Sequence, residues 1–546
     1  MKNKIFLVLF IILSIYGNKL VAGNEDTVFI RSHTQEHWNW YGSIDKWTLF
    51  PDSLQQYRKI LLKYTLGCPT GGCSDWDYTT QIFISKKTGL IDSQLVRYPS
   101  FTINGQTIDT AFFNTYQTYT YYFNTTNHTT DSTANPALLV VVHGDTIHPA
   151  DTTLTFNAFK GNYYNKIFNT TGQIIDSIYV VADSTWYLNY YNRYTYFPQM
   201  KKIEIGRLMT PYSGNHNYGW TNVYYFDITD YAKMLNDSVL VCAFYSGWSD
   251  GFTVTLDFEL IKGISPRNTL DVKLLWDGYF YYGKPNSIEN YLVSRNVTIP
   301  SDAVNSMVRI YPSGHGYDNN ECSEFCSKKY FLKVNGIQRF EQSIWKNDCG
   351  LNPLFPQPGT WIYNRAGWCP GTKTIYYDHE LTSFITTGSL DSIDMDMEPY
   401  TSVGGDAGYQ ITGTLFTYTA PNFTNDATLE DIISPNNRFD LNRINPICEE
   451  PKVIIKNTGA APLTSAIIKY GCIGSTLSSS NWSGNLDFLQ SQEVVLPNNL
   501  GYSFWNGNRF IAYVENPNGT NDEQPYNDTL YSNFNMPPLM AIKYAL

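Results

Sequence analysis

The sequence predicts an all-β protein: two adjacent antiparallel jelly-roll or β-sandwich domains followed by a C-terminal immunoglobulin-like β-sandwich. Three observations predict it. Strand-like runs alternate apolar and polar residues, as in Lys59-Ile-Leu-Leu-Lys-Tyr-Thr65, Thr79-Thr-Gln-Ile-Phe-Ile-Ser85, Phe252-Thr-Val-Thr-Leu-Asp-Phe-Glu-Leu260 and Met307-Val-Arg-Ile-Tyr311. Turn residues separate these runs. Helical periodicity is scarce, and the one short helix expected, from Thr229 to Asn236, has Asp227 or Thr229 as its cap.

The N-terminus opens with two lysines and an apolar run from Ile5 to Tyr16, then small residues near Ala22 and Gly23. This is a signal-peptide pattern over residues 1–23, too short to span a bilayer. The expectation is a secreted protein, periplasmic or extracellular, with no membrane insertion. The first jelly roll is placed at 24–265, interrupted by a Tyr-, Thr- and Asn-rich insertion at about 91–197. That insertion has its own strand signal, Ala137-Leu-Leu-Val-Val-Val142. Gly263-Ile-Ser-Pro-Arg267 is the linker to a second jelly roll at 266–435. The last module, 436–546, carries Pro451-Lys-Val-Ile-Ile-Lys-Asn-Thr-Gly459 and Glu515-Asn-Pro-Asn-Gly519. These resemble the adhesive immunoglobulin-like modules that bacteria append to secreted enzymes.

Of the 546 residues, 16% are charged and 16% are aromatic, and the net charge is −11. Such a chain has apolar surface for several cores, and an acidic chain without a basic run is a poor partner for nucleic acid. Its 43 Tyr and 13 Trp suit sugars, whose apolar faces stack on aromatic rings, although most such rings in a β-protein fill cores. Export permits disulfides. Cys68 with Cys73 and Cys322 with Cys326 are close enough to close small loops, and Cys349 with Cys369 a longer one. Cys448 and Cys472 remain as a pair, and Cys242 reads as a buried free thiol. Spacing alone does not fix this connectivity. No CxxC pair occurs and the histidines are scattered, so neither a zinc site nor any cofactor is expected.

Three stretches can carry chemistry. In Cys68-Pro-Thr-Gly-Gly-Cys-Ser-Asp-Trp76-Asp77-Tyr78, a tight loop would fix Asp77 at the rim of a sheet, with Trp76 and Tyr78 on the opposite face. Glu324 lies between Cys322 and Cys326. Arg365 lies in Arg365-Ala-Gly-Trp368-Cys-Pro-Gly371, where its planar fork can orient a carboxylate. Taken singly, these are equally a turn carboxylate, a solvated charge and a structural ion pair. Together, two carboxylates and an arginine fit either glycoside hydrolysis or water activation for amide hydrolysis.

The order of these motifs resembles the peptide-N-glycosidase F family. The resemblance runs from the cysteine loop at Asp77 through Ile205-Gly-Arg-Leu-Met-Thr-Pro-Tyr212, Phe226-Asp-Ile-Thr-Asp230, Trp248 and Val254-Thr-Leu-Asp-Phe258. It continues through Tyr282-Gly-Lys284, the Glu324 loop, the Arg365 stretch and Gly405-Asp-Ala407. It implies disulfides Cys68–Cys73, Cys322–Cys326 and Cys349–Cys369, a site between the two jelly rolls, and no metal. It further implies Asp77 as catalytic acid/base, Glu324 as positioner of water and Arg365 as support. The implied reaction cuts the amide between asparagine and the first GlcNAc of N-glycoproteins or glycopeptides, by a protein expected to be monomeric. The departures from the family are Ser246 for an acidic residue, Tyr78 for arginine and Phe325 for tryptophan. Its Gly-Trp-Gly-His segment corresponds loosely to Ser313-Gly-His315-Gly. With Trp76, Trp248 and Trp368, these positions are expected to face substrate, so the departures bear on glycan range rather than on the chemistry. A glycan-binding or adhesion protein on the same scaffold is the alternative.

Overall fold

The computed structural model describes residues 26–52, 55–108, 111–113, 117–143, 151–285, 288–444, 450–497 and 509–535. The expected signal peptide and Cys448 lie outside them. Alternation sets the fold from the sequence upward. In strand Phe252–Lys262, Phe252, Val254, Leu256, Phe258 and Leu260 are buried while their neighbours are partly exposed. This is the period-two pattern of a sheet with one face on a core.

The chain divides into two compact units, one of residues 1–86 with 202–546 and one of residues 87–201. In the first unit, one four-stranded sheet runs in the order Thr27–Trp38, Phe252–Lys262, Tyr57–Gly67, Thr221–Asp227. Its companion sheet includes Asp237–Tyr245, Gly42–Phe50 and the parts of strands Thr79–Ile103 and Trp186–Met209 that lie in this unit, up to residue 86 and from residue 202. Leu62, Tyr64, Ile84, Ile205, Val241 and Leu256 are part of the core these sheets enclose. A second pair of antiparallel sheets follows. One orders Thr269–Tyr281, Gly408–Tyr418, Asn305–His315 and Tyr377–Glu380. The other orders Arg295–Thr298, Leu390–Met397, Lys328–Val334 and Ile337–Ile344. Their core holds Ile310, Leu332, Ile393 and Ile411. Strand Ala427–Ser434 pairs with Lys452–Asn457, so its hydrogen bonds lie in the third pair of sheets, around Ile455, Ile468, Phe510 and Val514. The fold is all-β, with open sheets in jelly-roll-type sandwiches. The expected helix is a short 3₁₀ turn, Thr229–Met234, and Asp227 Oδ1 accepts the Thr229 N–H at 3.0 Å. No helix among the described residues is long and apolar enough to cross a membrane.

The second unit contains a three-stranded sheet of Asp151–Ala158, Ala137–His143 and Ala111–Phe113. It also contains a four-stranded sheet of Ile174–Val180, Tyr163–Phe168, Thr129–Asn135 and Thr118–Asn124.

The first two sandwiches are joined by a buried polar seam. Arg207 and Glu204 have fully buried side chains and form a bidentate pair, with Nε–Oε1 at 2.8 Å and Nη2–Oε2 at 2.7 Å. From the first sandwich, Arg207 donates to the Tyr311 and Gln410 carbonyls and to Ser313 Oγ and Thr412 Oγ1 of the second, at 2.8–3.3 Å. Backbone bonds run alongside: Gly371 N to Met209 O, Met209 N to Thr372 O and Thr374 N to Arg207 O. Nearby, Arg309 of the second sandwich pairs with Asp230 of the first. Removing one partner of a buried pair leaves a desolvated charge. Arg207→Met is therefore expected to cost about 3–5 kcal/mol in denaturant unfolding. A loss below about 1 kcal/mol would show that the backbone bonds alone hold the seam.

Candidate active site

The seam sets two loops of the second sandwich against one of the first. All three expected disulfides are formed: Cys68–Cys73, Cys322–Cys326 and Cys349–Cys369. Cys242 is a buried free thiol whose pKa burial pushes up to about 12. The loop after Cys73 is gripped by backbone. Ser74 N donates to Gly251 O, Ser213 N to Ser74 O, and Thr210 and Tyr78 exchange hydrogen bonds through N, O and Oγ1. Asp77 is thus held just before the strand that begins at Thr79.

Glu324 and Arg365 are placed by a three-layered backbone contact, with Gly314 N donating to Ala366 O and Ala366 N to Glu324 O. Gly314 has no room for a side chain there: a Cβ would stand 2.8 Å from Ala366 Cβ and 2.6 Å from Ser323 O. Arg365 is fully buried. Its Nε donates to Glu324 Oε1 at 2.8 Å, Nη1 to the Thr360 and Tyr363 carbonyls, and Nη2 to Thr360 Oγ1 at 2.7 Å and to Tyr212 OH at 3.4 Å. Asp77 Oδ2 lies 4.0 Å from Arg365 Nη2, and it is buried without a hydrogen-bond partner.

This unequal sharing separates the two carboxylates electrostatically. Burial, and then the charge of Glu324, push Asp77 up to about 7, against the pull of Arg365 and Tyr212. Burial also raises Glu324, opposed by its direct bond to Arg365. Tyr212 is pushed up to about 12, mainly by burial and then by Asp77, so it stays a phenol. The site therefore offers one carboxyl able to exchange a proton near neutrality beside one ordered by a fixed cation, an arrangement suited to acid–base work on a polar bond.

The other expected site residues divide. Phe325 packs against the guanidinium, 4.9 Å from its centre. His315 stacks on Trp368, accepts or donates to Ser313 Oγ at 2.8 Å, and is held neutral by burial and by Arg207, with a pKa of about 3. Trp368 is turned into the protein rather than toward an open surface. It is 3% exposed, its indole donates to Gly314 O, and Arg365 lies over its ring at 4.8 Å, so it is a floor beneath the arginine. Trp76 is exposed, whereas Tyr78 is half-buried edge-on to Tyr245, because the loop turns here before strand alternation begins. Ser246 Oγ accepts the Thr79 N–H. Trp248 is 63% exposed and stacks on Tyr41, with Trp40 at its edge. Its loop is tied to the Asp77 loop through Ser249 Oγ and Ser74 Oγ at 2.8 Å. Sequence reading gave no role to Trp40 and Tyr41, although adjacent aromatics at a turn are their signal, nor to Thr360, which has none. Tyr212 stood within a recognised motif, but only the fold brings its hydroxyl to Arg365.

Two antiparallel sandwiches sharing a buried carboxylate–arginine site define the class of protein. Residues 282–413 match the family model described as peptide-N-glycosidase F, C terminal. The peptide-N(4)-(N-acetyl-β-D-glucosaminyl)asparagine amidase F of Elizabethkingia miricola is 27% identical over 231 residues, which cover 38% of this chain. The chain spans 62% of that relative's length. Over these residues the chain is similar to the peptide-N-glycosidase F family. Among solved structures, PNGase F of Flavobacterium meningosepticum is 18% identical, covering 72% of this chain and 96% of its own, with a TM-score of 0.46. PNGF-II is 15% identical, covering 72% of this chain and 66% of its own, with a TM-score of 0.43.

The raised pKa of Asp77 carries a stability consequence. An unfolded aspartate loses its proton near pH 4, whereas folded Asp77 keeps it to about pH 7. The native state therefore binds the extra proton in that window, and its stability falls as pH rises through it. Asp77→Asn is expected to raise unfolding free energy at pH 8 by a few kcal/mol, at roughly 1.4 kcal/mol per unit, and to change little below pH 4. Equal stabilisation at both pH values would show that the gain does not come from the carboxyl's charge.

Proposed function

We propose that this protein hydrolyses the amide bond between asparagine and the first N-acetylglucosamine of N-glycans, releasing the intact glycan as a glycosylamine and leaving aspartate. The observation that carries this reading is the unpartnered, buried carboxyl oxygen of Asp77, 4.0 Å from an arginine committed to Glu324. In this reading Asp77 exchanges a proton at the amide, and Glu324 orients the attacking water. Water adds to the amide carbon, the carbon–nitrogen bond breaks, and the nitrogen leaves with the glycan after taking a proton. Arg365 acts as a positioning residue: it fixes Glu324 and polarises the site.

N-glycosylated proteins or glycopeptides are the substrates, and Trp248 with Trp40 and Tyr41 offers them an exposed aromatic surface. We further propose a secreted, monomeric enzyme that uses no metal in the reaction. Its three disulfides fit an oxidising compartment. The same aromatic surface favours glycan binding without hydrolysis as a second reading.

Mass spectrometry of a defined N-glycopeptide separates the two. Loss of the whole glycan together with conversion of asparagine to aspartate is expected. Asp77→Asn should abolish release, and Glu324→Gln should slow kcat about 10²–10⁴-fold, the range of general acid–base contributions. An untouched peptide across high-mannose, complex and core-fucosylated substrates would support binding alone. A peptide left with one GlcNAc would mean a glycosidase, and near-normal turnover by either variant would remove that residue from the mechanism.

A further inference from the structure

The third sandwich holds a cluster that the reaction does not use. Single carboxylate oxygens of Asp426, Asp522 and Asp528 lie within 4.8 Å of one another. They come from chain segments about a hundred residues apart, Asp426 at the start of strand Ala427–Ser434 and the other two around the turn before strand Thr529–Asn533. Asp528 is only 7% exposed, and its Oδ1 is fully buried with no hydrogen-bond partner. Asp426 is 1% exposed and its carboxylate receives the Asn527 side-chain amide at 3.2 Å. Asp522 receives the Ala427 N–H at 3.0 Å and the Gln524 N–H at 2.7 Å. The charged groups acting on Asp528 are Asp522, Asp426 and Glu515, all acidic.

Three carboxylates gathered in a largely buried pocket repel one another, and burial makes this worse. The amides described supply partial compensation and leave Asp528 Oδ1 without any. We infer that Asp426, Asp522 and Asp528 bind one calcium ion that clasps the C-terminal sandwich. The donors are all oxygen, which selects a hard cation over zinc or copper. Their mutual distances fit oxygens placed about 2.3–2.6 Å from a common centre, the calcium range. The smaller magnesium ion demands near-ideal octahedral ligands at about 2.0–2.1 Å and is the poorer match.

The clasp would fix more than the cluster. Thr458 and Gly459 N–H groups hold the Asp426 carbonyl, and Glu523 accepts from Thr424 and Asn425 N–H. Gln524, whose N–H is held by Asp522, passes its side-chain amide to the Ile264 carbonyl at 2.9 Å, in the linker between the first two sandwiches. The ion would therefore stiffen the junction between the third sandwich and the rest of its unit.

The test is isothermal titration of calcium chloride into the chelator-stripped full chain at pH 7.5. One saturable site is expected, with a Kd of roughly 10⁻³ M or tighter, the range of extracellular modules at its weak end. Asp528→Asn and the less buried Asp522→Asn should each weaken binding at least tenfold, with circular dichroism confirming that both variants fold. Magnesium chloride should bind at least tenfold more weakly. Absence of saturable heat in the unmodified protein would overturn the inference and leave the carboxyls sharing protons instead. Unchanged affinity in both folded variants would also overturn it, and equal affinity for magnesium would overturn the choice of calcium.

Discussion

The buried pair of Arg207 and Glu204 is the constraint on which the site depends. Neither side chain reaches water, so the pair is tolerable only because every part of it is engaged. The guanidinium makes two bonds to Glu204 and spends its other hydrogens on carbonyls and hydroxyls of the second sandwich. Sliding one sandwich past the other would strand those donors in a dry interface. The seam therefore has one register, and that register sets the Asp77 loop against the Glu324 and Arg365 loops. Packing of apolar side chains alone would resist such a shift less sharply, since hydrophobic contact is not directional.

The loops need that external reference because they have little regular structure of their own. Asp77 precedes its strand, and Glu324 sits in a short turn between cysteines. Each is fixed by a crosslink at one side and by backbone hydrogen bonds at the other. Ala366 is the clearest case, bonded through its carbonyl to Gly314 and through its N–H to Glu324. A carboxylate on a mobile loop would keep its solvation and its ordinary pKa. Immobilisation in a desolvated corner is what allows Asp77 to sit near 7.

How much of this the sequence discloses follows from how local each feature is. The strand Phe252–Lys262 is legible because its burial alternates residue by residue with its apolarity. Asp77, Glu324 and Arg365 stand out because each lies in or beside a short cysteine-bounded segment with a recognisable motif, and the fold brings all three together. The place of Trp368 is less legible. It belongs to the Arg365 motif, yet its ring is spent beneath the guanidinium, a fact set by three-dimensional packing. Thr360 and the Asp426, Asp522 and Asp528 cluster are invisible in the chain, since their significance rests on neighbours far away in sequence.

Two fully buried arginines, Arg207 and Arg365, show how one chemical device serves two ends. Arg207 engages both oxygens of Glu204, and the charge is matched at its own carboxylate. That arrangement is structural. Arg365 engages Glu324 through one nitrogen and gives its others to Thr360, Tyr363 and Tyr212. Asp77 is near enough to feel the cation but holds no bond to it. The second carboxylate is thus left short of the stabilisation that the first receives. A uniformly paired cluster would be more stable and would titrate well below neutrality. In the proposed reading, the withheld hydrogen bond at Asp77 is what separates a proton-exchanging site from a second structural seam.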